Sequence, residues 1–465
     1  MKKRTYKATN VNQVNIENLK KKIQGKEIVI GIDIAKKENY ATIMTKEKES
    51  IITIRYEQPS ETMRFIEFIQ NLQSSCCEAA MESTGSYGDP LREQLLNAGV
   101  SVFRVSAKRS HDMAEVYDGV PSLHDAKSAA IIAYLHIEGM SQSWQSKPHE
   151  LRDTKAAINE MSIYHAQYYE NINRMEALLA RFWPEVPDIL SLTTVTLISI
   201  LEIYGSPTVL AKAPRKTVFE RMKKIGRGLL VNEKIDDVIA SAKTTTGVKM
   251  TEGEIRMMKH LATEILRNYR LNKTAEKELL RLSKNIEEIV RMSETVGMTT
   301  AAVIFTELGN PNEFKNAKSY KKSAGLNLKE KSSGKHQGKL RISKRGSSKT
   351  RQYLYLAALR LIQNDMLVRA WYNKKVKRDG GKKMIAIVAI MSKLTLALWH
   401  VGRGAKFDSH KLFNAAKLDK EYKQILKEQE NNGRKNMKIK KIVIVKPVRA
   451  TLLKKQELIN KQLNN

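Results

Sequence analysis

Apolar residues in the first third of the chain fall into short extended runs separated by helical stripes. Ile28-Val29-Ile30-Gly31-Ile32-Asp33-Ile34, Tyr40 to Met44 and Ile51 to Tyr56 read as three strands of an antiparallel meander. Phe65, Ile66, Phe68, Ile69 and Leu72 mark one face of a helix. Cys76 to Met81 return to an extended run that ends at Glu82, with Ser83, Thr84 and Gly85 behind it. A helix from Tyr87 to Ala98 and a strand from Val100 to Val105 complete a βαβ pattern, which sets parallel strands side by side with their carboxyl ends aligned.

Three strands followed by alternating helices and strands is the order of a ribonuclease-H-like fold, in which Asp33 and Glu82 would lie on neighbouring strands. A carboxylate inside an apolar strand is costly to bury unless it binds something, typically a cation. The segment Leu123-His124-Asp125-Ala126-Lys127-Ser128 opens a further helix, with Asp125 and Ser128 three apart on one face. Asp33, Glu82 and Asp125 are therefore candidates to converge on Mg²⁺, which prefers hard oxygen ligands and bridges phosphate oxygens. Taken singly, a strand-end Glu or a helix-opening Asp is commonplace.

The periodicity then lengthens. Met161, Tyr164, Tyr168, Ile172, Met175, Leu179 and Phe182 recur at threes and fours until Pro184, which predicts a long amphipathic helix. Its partner opens with the capping-box signature Thr251-x-x-Glu254 and runs through Met258, Leu261, Ile265, Tyr269, Ala275, Leu279, Leu282, Ile286 and Ile289. Such a pair makes an antiparallel hairpin or coiled coil, with a small helical insertion between Ile189 and Lys249. Thr295 to Ala301 resembles half of a helix-hairpin-helix, and a plain interhelical turn explains it equally well. Helices from Thr350 to Ile362 and from Lys382 to Trp399 are apolar on one face.

One stretch does not fit a core. Lys331 to Arg351 reads KSSGKHQGKLRISKRGSSKTR and is nearly all glycine, serine and cation. Glycines let a backbone approach a ligand, and Lys331, Lys335, Arg341, Lys344, Arg345, Lys349 and Arg351 supply the charge that a phosphodiester attracts. Ser333, followed by Gly334, is a candidate nucleophile, with its neighbour Ser332 as the alternative. A solvated basic loop is the plainer reading of this segment by itself.

Composition supports a polyanionic partner. Eighty-two Lys and Arg face 49 Asp and Glu, a net charge of +33, far beyond what solubility requires. A lysine-biased composition would raise the charge without creating a site. The two cysteines, Cys76 and Cys77, are adjacent and fit small buried strand residues in a reducing compartment. The basic amino terminus lacks an apolar run after its charges, and no run reaching membrane-spanning length is expected. These features imply a cytoplasmic protein.

The motifs VIGIDIAKK, MESTGSYGDPLREQL, HDAKSAAIIA, SETVGMTTAAVIFTELGNP and AGLNLKEKSSGKHQGKLRISKRGSSKTRQYL, in this order, resemble the IS-one-ten insertion-sequence transposases, the group that includes Piv/MooV-type DNA invertases. The resemblance implies a RuvC-like amino-terminal domain with an Asp-Glu-Asp-Asp metal site, a coiled-coil middle and a mainly helical carboxyl-terminal domain bearing a catalytic serine. It further implies recombination guided by a structured bridge RNA and active sites assembled in a dimer or tetramer. Asp33, Glu82 and Asp125 match the first three acids, and Ser333 the nucleophile. The fourth acid falls on Ser128, and Ser106-Ala107 stands where many members have Asn-Pro.

The expected organisation is an α/β domain followed by helical regions: a basic arm at 1–27, the RuvC-like domain at 28–145, a helical region at 146–290, the serine-bearing domain at 291–402, and a basic, partly disordered tail at 403–465. The function expected is Mg²⁺-assisted DNA transposition by serine attack. The alternatives are a weakened transposase relic that binds RNA or DNA, which Ser128 favours, and a RuvC-like nuclease resolving branched DNA, which the serine loop disfavours.

Overall fold

A computed structural model describes residues 6–72, 77–82, 85–146, 148–330, 338 and 340–418. The chain divides into two compact units, Met1–Pro148 and His149–Asn465.

The first unit is built on a seven-stranded sheet. Its strands are β1 (Ala8–Asn10), β2 (Ile28–Asp33), β3 (Glu38–Thr45), β4 (Ser50–Glu57), β5 (Cys77–Glu82), β6 (Ser101–Val105) and β7 (Gln142–Ser143). They lie in the order β1-β4-β3-β2-β5-β6-β7. β2, β3 and β4 form the antiparallel meander, and β5 and β6 run parallel to β2, which is the ribonuclease-H-like order expected. The stretch read as a basic arm is folded onto this frame: β1 pairs in parallel with β4, and α1 (Ile16–Ile23) buries Leu19 and Ile23. Those two apolar side chains, four apart, turn a lysine-rich segment into a helix with a core face.

The central strand β2 is apolar on both faces because both are covered. Ile28, Ile30 and Ile32 pack with α1, α2 (Thr62–Gln70) and α3 (Asp89–Asn97). On the other face Val29 meets Ala130 and Ala133 of α5 (Asp125–Ile137), which follows α4 (Ala107–Asp118). Gly31 lies between. A methyl group built on it would overlap the Ala129 carbonyl and the Ala133 amide, so the absent side chain lets α5 lie directly on β2. Cys77 is half-buried against the α1–α3 side of this core, and Cys76 lies outside the described residues.

The second unit is helical. α6 (His149–Phe182) and α12 (Glu252–Ser283) are its two long elements. Asn272 bonds the Met161 carbonyl, Tyr168 meets Tyr269, and Arg181 pairs with Glu254, so the two helices run antiparallel. Each spans about 50 Å. The capping box at Thr251 and Glu254 is present. α12 ends at Ser283 rather than running on through Ile286 and Ile289; the Ser283 hydroxyl donates to the Leu279 carbonyl, and Ile289 belongs to the next helix.

At one end of the pair, α7 (Val186–Ile189), α8 (Val195–Tyr204), α9 (Pro207–Lys212), α10 (Arg215–Ile225) and α11 (Asn232–Thr244) form their own core around Phe182 and Trp183. At the other end lie α13 (Glu287–Val296), α14 (Met298–Leu308), α15 (Ala317–Ser323), α16 (Ser348–Asn364), α17 (Met366–Arg378) and α18 (Lys383–Gly402). α13 and α14 meet at Gly297 alone. α17 is not evident in the apolar pattern, because only Leu367, Val368 and Ala370 of its residues are buried. Beyond Arg403, Phe413 and Leu418 are buried in this same core; residues 419–465 lie outside the description.

α18 corrects the expectation that no run reaches membrane-spanning length, since by length and composition it is long and apolar enough to cross a membrane. Its apolarity has another use here. Ala386, Ile390, Leu394 and Leu398 are each at most 1% exposed within the second unit's core.

Candidate active site

Asp33 closes β2, and Glu82 closes β5. The two strands are parallel with Ile32 opposite Met81, so the acids stand at matching ends of neighbouring strands. Side chains alternate along a strand, so Asp33 shares the Gly31 face and Glu82 the Ala80 face, and both face α5. Along α5 the stripe Asp125, Ser128, Ala129, Ile132, Ala133 looks back at them. The close approach allowed by Gly31 therefore brings the helix start over the strand ends.

The electrostatics register this crowding. Asp33 is pushed up from 3.8 to about 6, first by burial and then by the charges of Glu82 and Asp125. Hydrogen bonds from the Ser128 hydroxyl and the Ile34 amide pull the other way and are outweighed. Glu82 is 9% exposed, Ser128 is buried and Asp125 is open to solvent. Three carboxylates and a hydroxyl are a hard-oxygen donor set suited to Mg²⁺. A cation would relieve the repulsion that raises Asp33. Among the described residues, no trio of His, Cys, Asp and Glu side chains is drawn together tightly enough to hold an ion as the structure stands.

Positioning residues surround these acids that sequence reasoning passed over. Asn39 is fully buried; its Oδ1 accepts from the Ala35 amide at 2.8 Å, and its Nδ2 donates to Gln58 Oε1 at 2.9 Å. Gln58 in turn donates to the Tyr87 carbonyl at 2.8 Å, so one polar chain ties together the loops after β2, β4 and β5. Asn39 stands beside Glu38, ahead of the run from Tyr40 to Met44 read as the strand, so its sequence neighbours gave no sign of its burial.

Lys127, only 1% exposed, donates to Asp118 Oδ1 at 2.7 Å and to the carbonyls of Val120 at 2.6 Å and Ser122 at 2.9 Å. It thereby fixes the segment that leads into Asp125. Burial works against the ionised Asp118, but hydrogen bonds from Lys127 and Tyr6 outweigh it and hold the carboxyl at about 2. A lysine in the midst of HDAKSAAIIA was the signal.

In the second unit, β8 (Leu328–Lys329) pairs antiparallel with β9 (Arg341–Ile342) and closes the base of the serine segment. Ser332, Ser333, Lys331 and Lys335 lie outside the described residues. Arg341, Lys344 and Arg345 lie beside that base, all three exposed. Arg351 and Lys349 have internal partners: Arg351 donates to the carbonyls of Ala324 and Gly346, and Lys349 to Asn159 Oδ1 at 2.9 Å. Glu307 accepts from Lys155 at 2.5 Å and from Ser347 at 2.9 Å, which anchors the start of α16 just after the segment. A cavity on the α6–α12 pair, lined by Tyr164, Asn171, Arg174 and Glu264 among others, contains none of these groups.

An acid cluster at the carboxyl ends of β2 and β5 in a ribonuclease-H-like sheet defines a class, that of acid-site proteins built on this fold. The comparisons narrow it. A family model for transposases, the DEDD type of IS110 elements, matches residues 30–184, and the model "Transposase IS116/IS110/IS902 family" matches residues 287–373. The chain is 25% identical over 298 residues to the "Insertion element IS110 uncharacterized 43.6 kDa protein" of Streptomyces coelicolor, covering 61% of this chain and 71% of that protein. Among solved structures, "T. thermophilus RuvC in complex with Holliday junction substrate" matches at 13% identity and a TM-score of 0.21, covering 25% of this chain and 99% of that one. The chain belongs to the IS110 (IS-one-ten) family of transposases.

Proposed function

We propose that this transposase cuts and rejoins DNA by attack of Ser333 on a phosphodiester, with Asp33, Glu82 and Asp125 holding Mg²⁺. The observation that carries the reading is Asp33, a part-buried strand-end carboxylate pushed up to about 6 beside two further acids, an arrangement that a cation would relieve. In the reaction the bond from Ser333 Oγ to phosphorus forms as the bond to one deoxyribose oxygen breaks. The serine proton leaves to solvent, and the freed deoxyribose hydroxyl takes up a proton. The resulting ester conserves the phosphodiester for rejoining, when a second strand's hydroxyl attacks it and releases the serine. Bound Mg²⁺ supplies positive charge to the phosphate oxygens.

Lys331, Lys335, Arg341, Lys344 and Arg345 hold the strands, and a structured RNA from the element's flank selects them. The working form is a homo-oligomer acting on DNA in the cytoplasm. The test mixes purified protein, RNA transcribed from the native flanks, Mg²⁺ and labelled DNA, and looks for a denaturation-resistant protein–DNA adduct. Ser333→Ala abolishes the adduct and preserves binding; an adduct that persists moves the role to Ser332 or refutes it.

Ser128 supports a second reading, a transposase weakened to a nucleic-acid-binding relic. A neutral hydroxyl that donates to Asp33 stands where a fourth carboxylate belongs. Binding with strong salt dependence but no adduct favours that reading.

A further inference from the structure

The turn joining α17 to α18 reads Lys374-Lys375-Val376-Lys377-Arg378-Asp379-Gly380-Gly381-Lys382-Lys383-Met384-Ile385. Its one carboxylate, Asp379, is engaged by Lys375 at 2.5 Å and Arg378 at 3.2 Å. Lys377, Arg378, Lys382 and Lys383 line the turn, and Arg378 is 70% exposed at its side chain. Gly380 and Gly381 have φ of 64° and 81°, a left-handed pair that carries the chain around. No atom lies within 4 Å of where either glycine's Cβ would stand, so the tip of the turn is bare backbone.

The first apolar residues of α18 belong to this tip, not to the core. Met384 is 49% and Ile385 48% exposed, whereas Ala386 and Ile387, next in sequence, are 0% and 5% exposed. Single exposed apolar side chains are ordinary. Two adjacent ones at the end of a bare turn, flanked by the cations of two helix ends, form a short apolar tooth in a strongly basic setting.

We propose that this tip is a wedge for duplex DNA. The cations of the turn hold phosphates, while Met384 and Ile385 enter one base step from the minor groove, unstack it and kink the helix axis. Charge selects a polyanion. Among polyanions, the narrow minor groove of B-form DNA admits a two-residue tooth, whereas the wide, shallow minor groove of an RNA duplex gives it no walls. The inference rests on the reading that DNA is the substrate and adds a task for the chain: deforming the duplex where strands are to be exchanged, so that stacking no longer opposes it.

The experiment uses the full chain with Mg²⁺ and a mixed-sequence DNA duplex of about 40 base pairs carrying donor and acceptor dyes at its ends. Wild-type protein shortens the end-to-end distance. Met384→Ala with Ile385→Ala removes the shortening while DNA affinity stays within about threefold and the thermal midpoint is unchanged, because both side chains are exposed. Lys382→Glu with Lys383→Glu weakens affinity by about tenfold or more and flattens the dependence of log affinity on log salt by about 2. Equal shortening by the Ala variant, or wild-type binding without shortening, overturns the wedge. So does loss of RNA binding alone in the Glu variant. The Ser333 adduct assay is run in parallel: an adduct without shortening defeats the wedge and spares the proposed function, and absence of both DNA binding and adduct defeats the proposed function itself.

Discussion

Replacing Asp33 with Asn tests the electrostatic account of the site. The carboxyl is pushed from 3.8 to about 6 by burial and by its acidic neighbours, so folding favours the protonated form. The contribution of a group raised in this way is fully present below its ordinary value and is lost as pH rises through 6. Each tenfold gain in proton affinity corresponds to about 1.4 kcal/mol. The rise from 3.8 to about 6, discounted for partial solvation, therefore puts the cost of the ionised side chain at about 2 kcal/mol at about pH 8. Asn keeps the size and can still accept from Ser128, but carries no charge. In chelator, Asp33→Asn is therefore more stable than wild type by ~2 kcal/mol at about pH 8 and by less than ~1 kcal/mol at about pH 4. Urea unfolding of the full chain, followed by far-ultraviolet circular dichroism at both pH values, measures the difference. Mg²⁺ stabilises wild type at the higher pH and leaves the variant unchanged. A gap between the two proteins that does not depend on pH would refute the burial argument, whatever the catalytic outcome.

Three further substitutions probe how the site is built. Gly31→Ala drives a methyl into the α5 backbone and lowers stability by about 3 kcal/mol or more in the same unfolding assay, with loss of Mg²⁺-induced stabilisation as α5 lifts away. Lys127→Met strands part-buried Asp118 without its cation and costs about 3 kcal/mol at neutral pH; the deficit shrinks towards pH 2 as Asp118, held at about 2, becomes protonated. Ser128→Asp adds a fourth carboxylate, which destabilises the metal-free protein by about 1 to 3 kcal/mol and tightens Mg²⁺ binding about tenfold, read by calorimetric titration.

The five inner strands were legible because alternation and apolar runs report strands directly, and their order followed from the meander and the βαβ pattern; the two edge strands, β1 and β7, are three and two residues long and carry no such pattern. Asp33 and Glu82 were legible for the same reason, as polar residues at the ends of otherwise apolar strands. The folding of residues 8–23 was obscured by their lysines and asparagines, since three buried apolar residues, Val11, Leu19 and Ile23, carry no strong periodic signal. The break at Ser283 was hidden because the apolar spacing continues across it. Asn39 and Lys127 escaped because sequence does not reveal which backbone carbonyls and amides a buried polar side chain will find. Arg351 and Lys349 looked like free cations in a basic run, and only the fold shows their internal partners.

Ser128 is where the two sides of this site meet. With Glu82 and Asp125 already raising Asp33, a fourth carboxylate on the same helix face would raise it further and make the cation-free fold harder to hold near neutral pH. A serine removes that charge and donates a hydrogen bond that favours the ionised Asp33, so it stabilises the empty site. On the proposed metal reading, the same change takes one charged ligand from the cation, so affinity for Mg²⁺ falls as tolerance of its absence rises. On that reading the serine thus trades cation affinity for stability: the chain folds at neutral pH without metal, and the added charge of a bound phosphodiester would strengthen its hold on Mg²⁺.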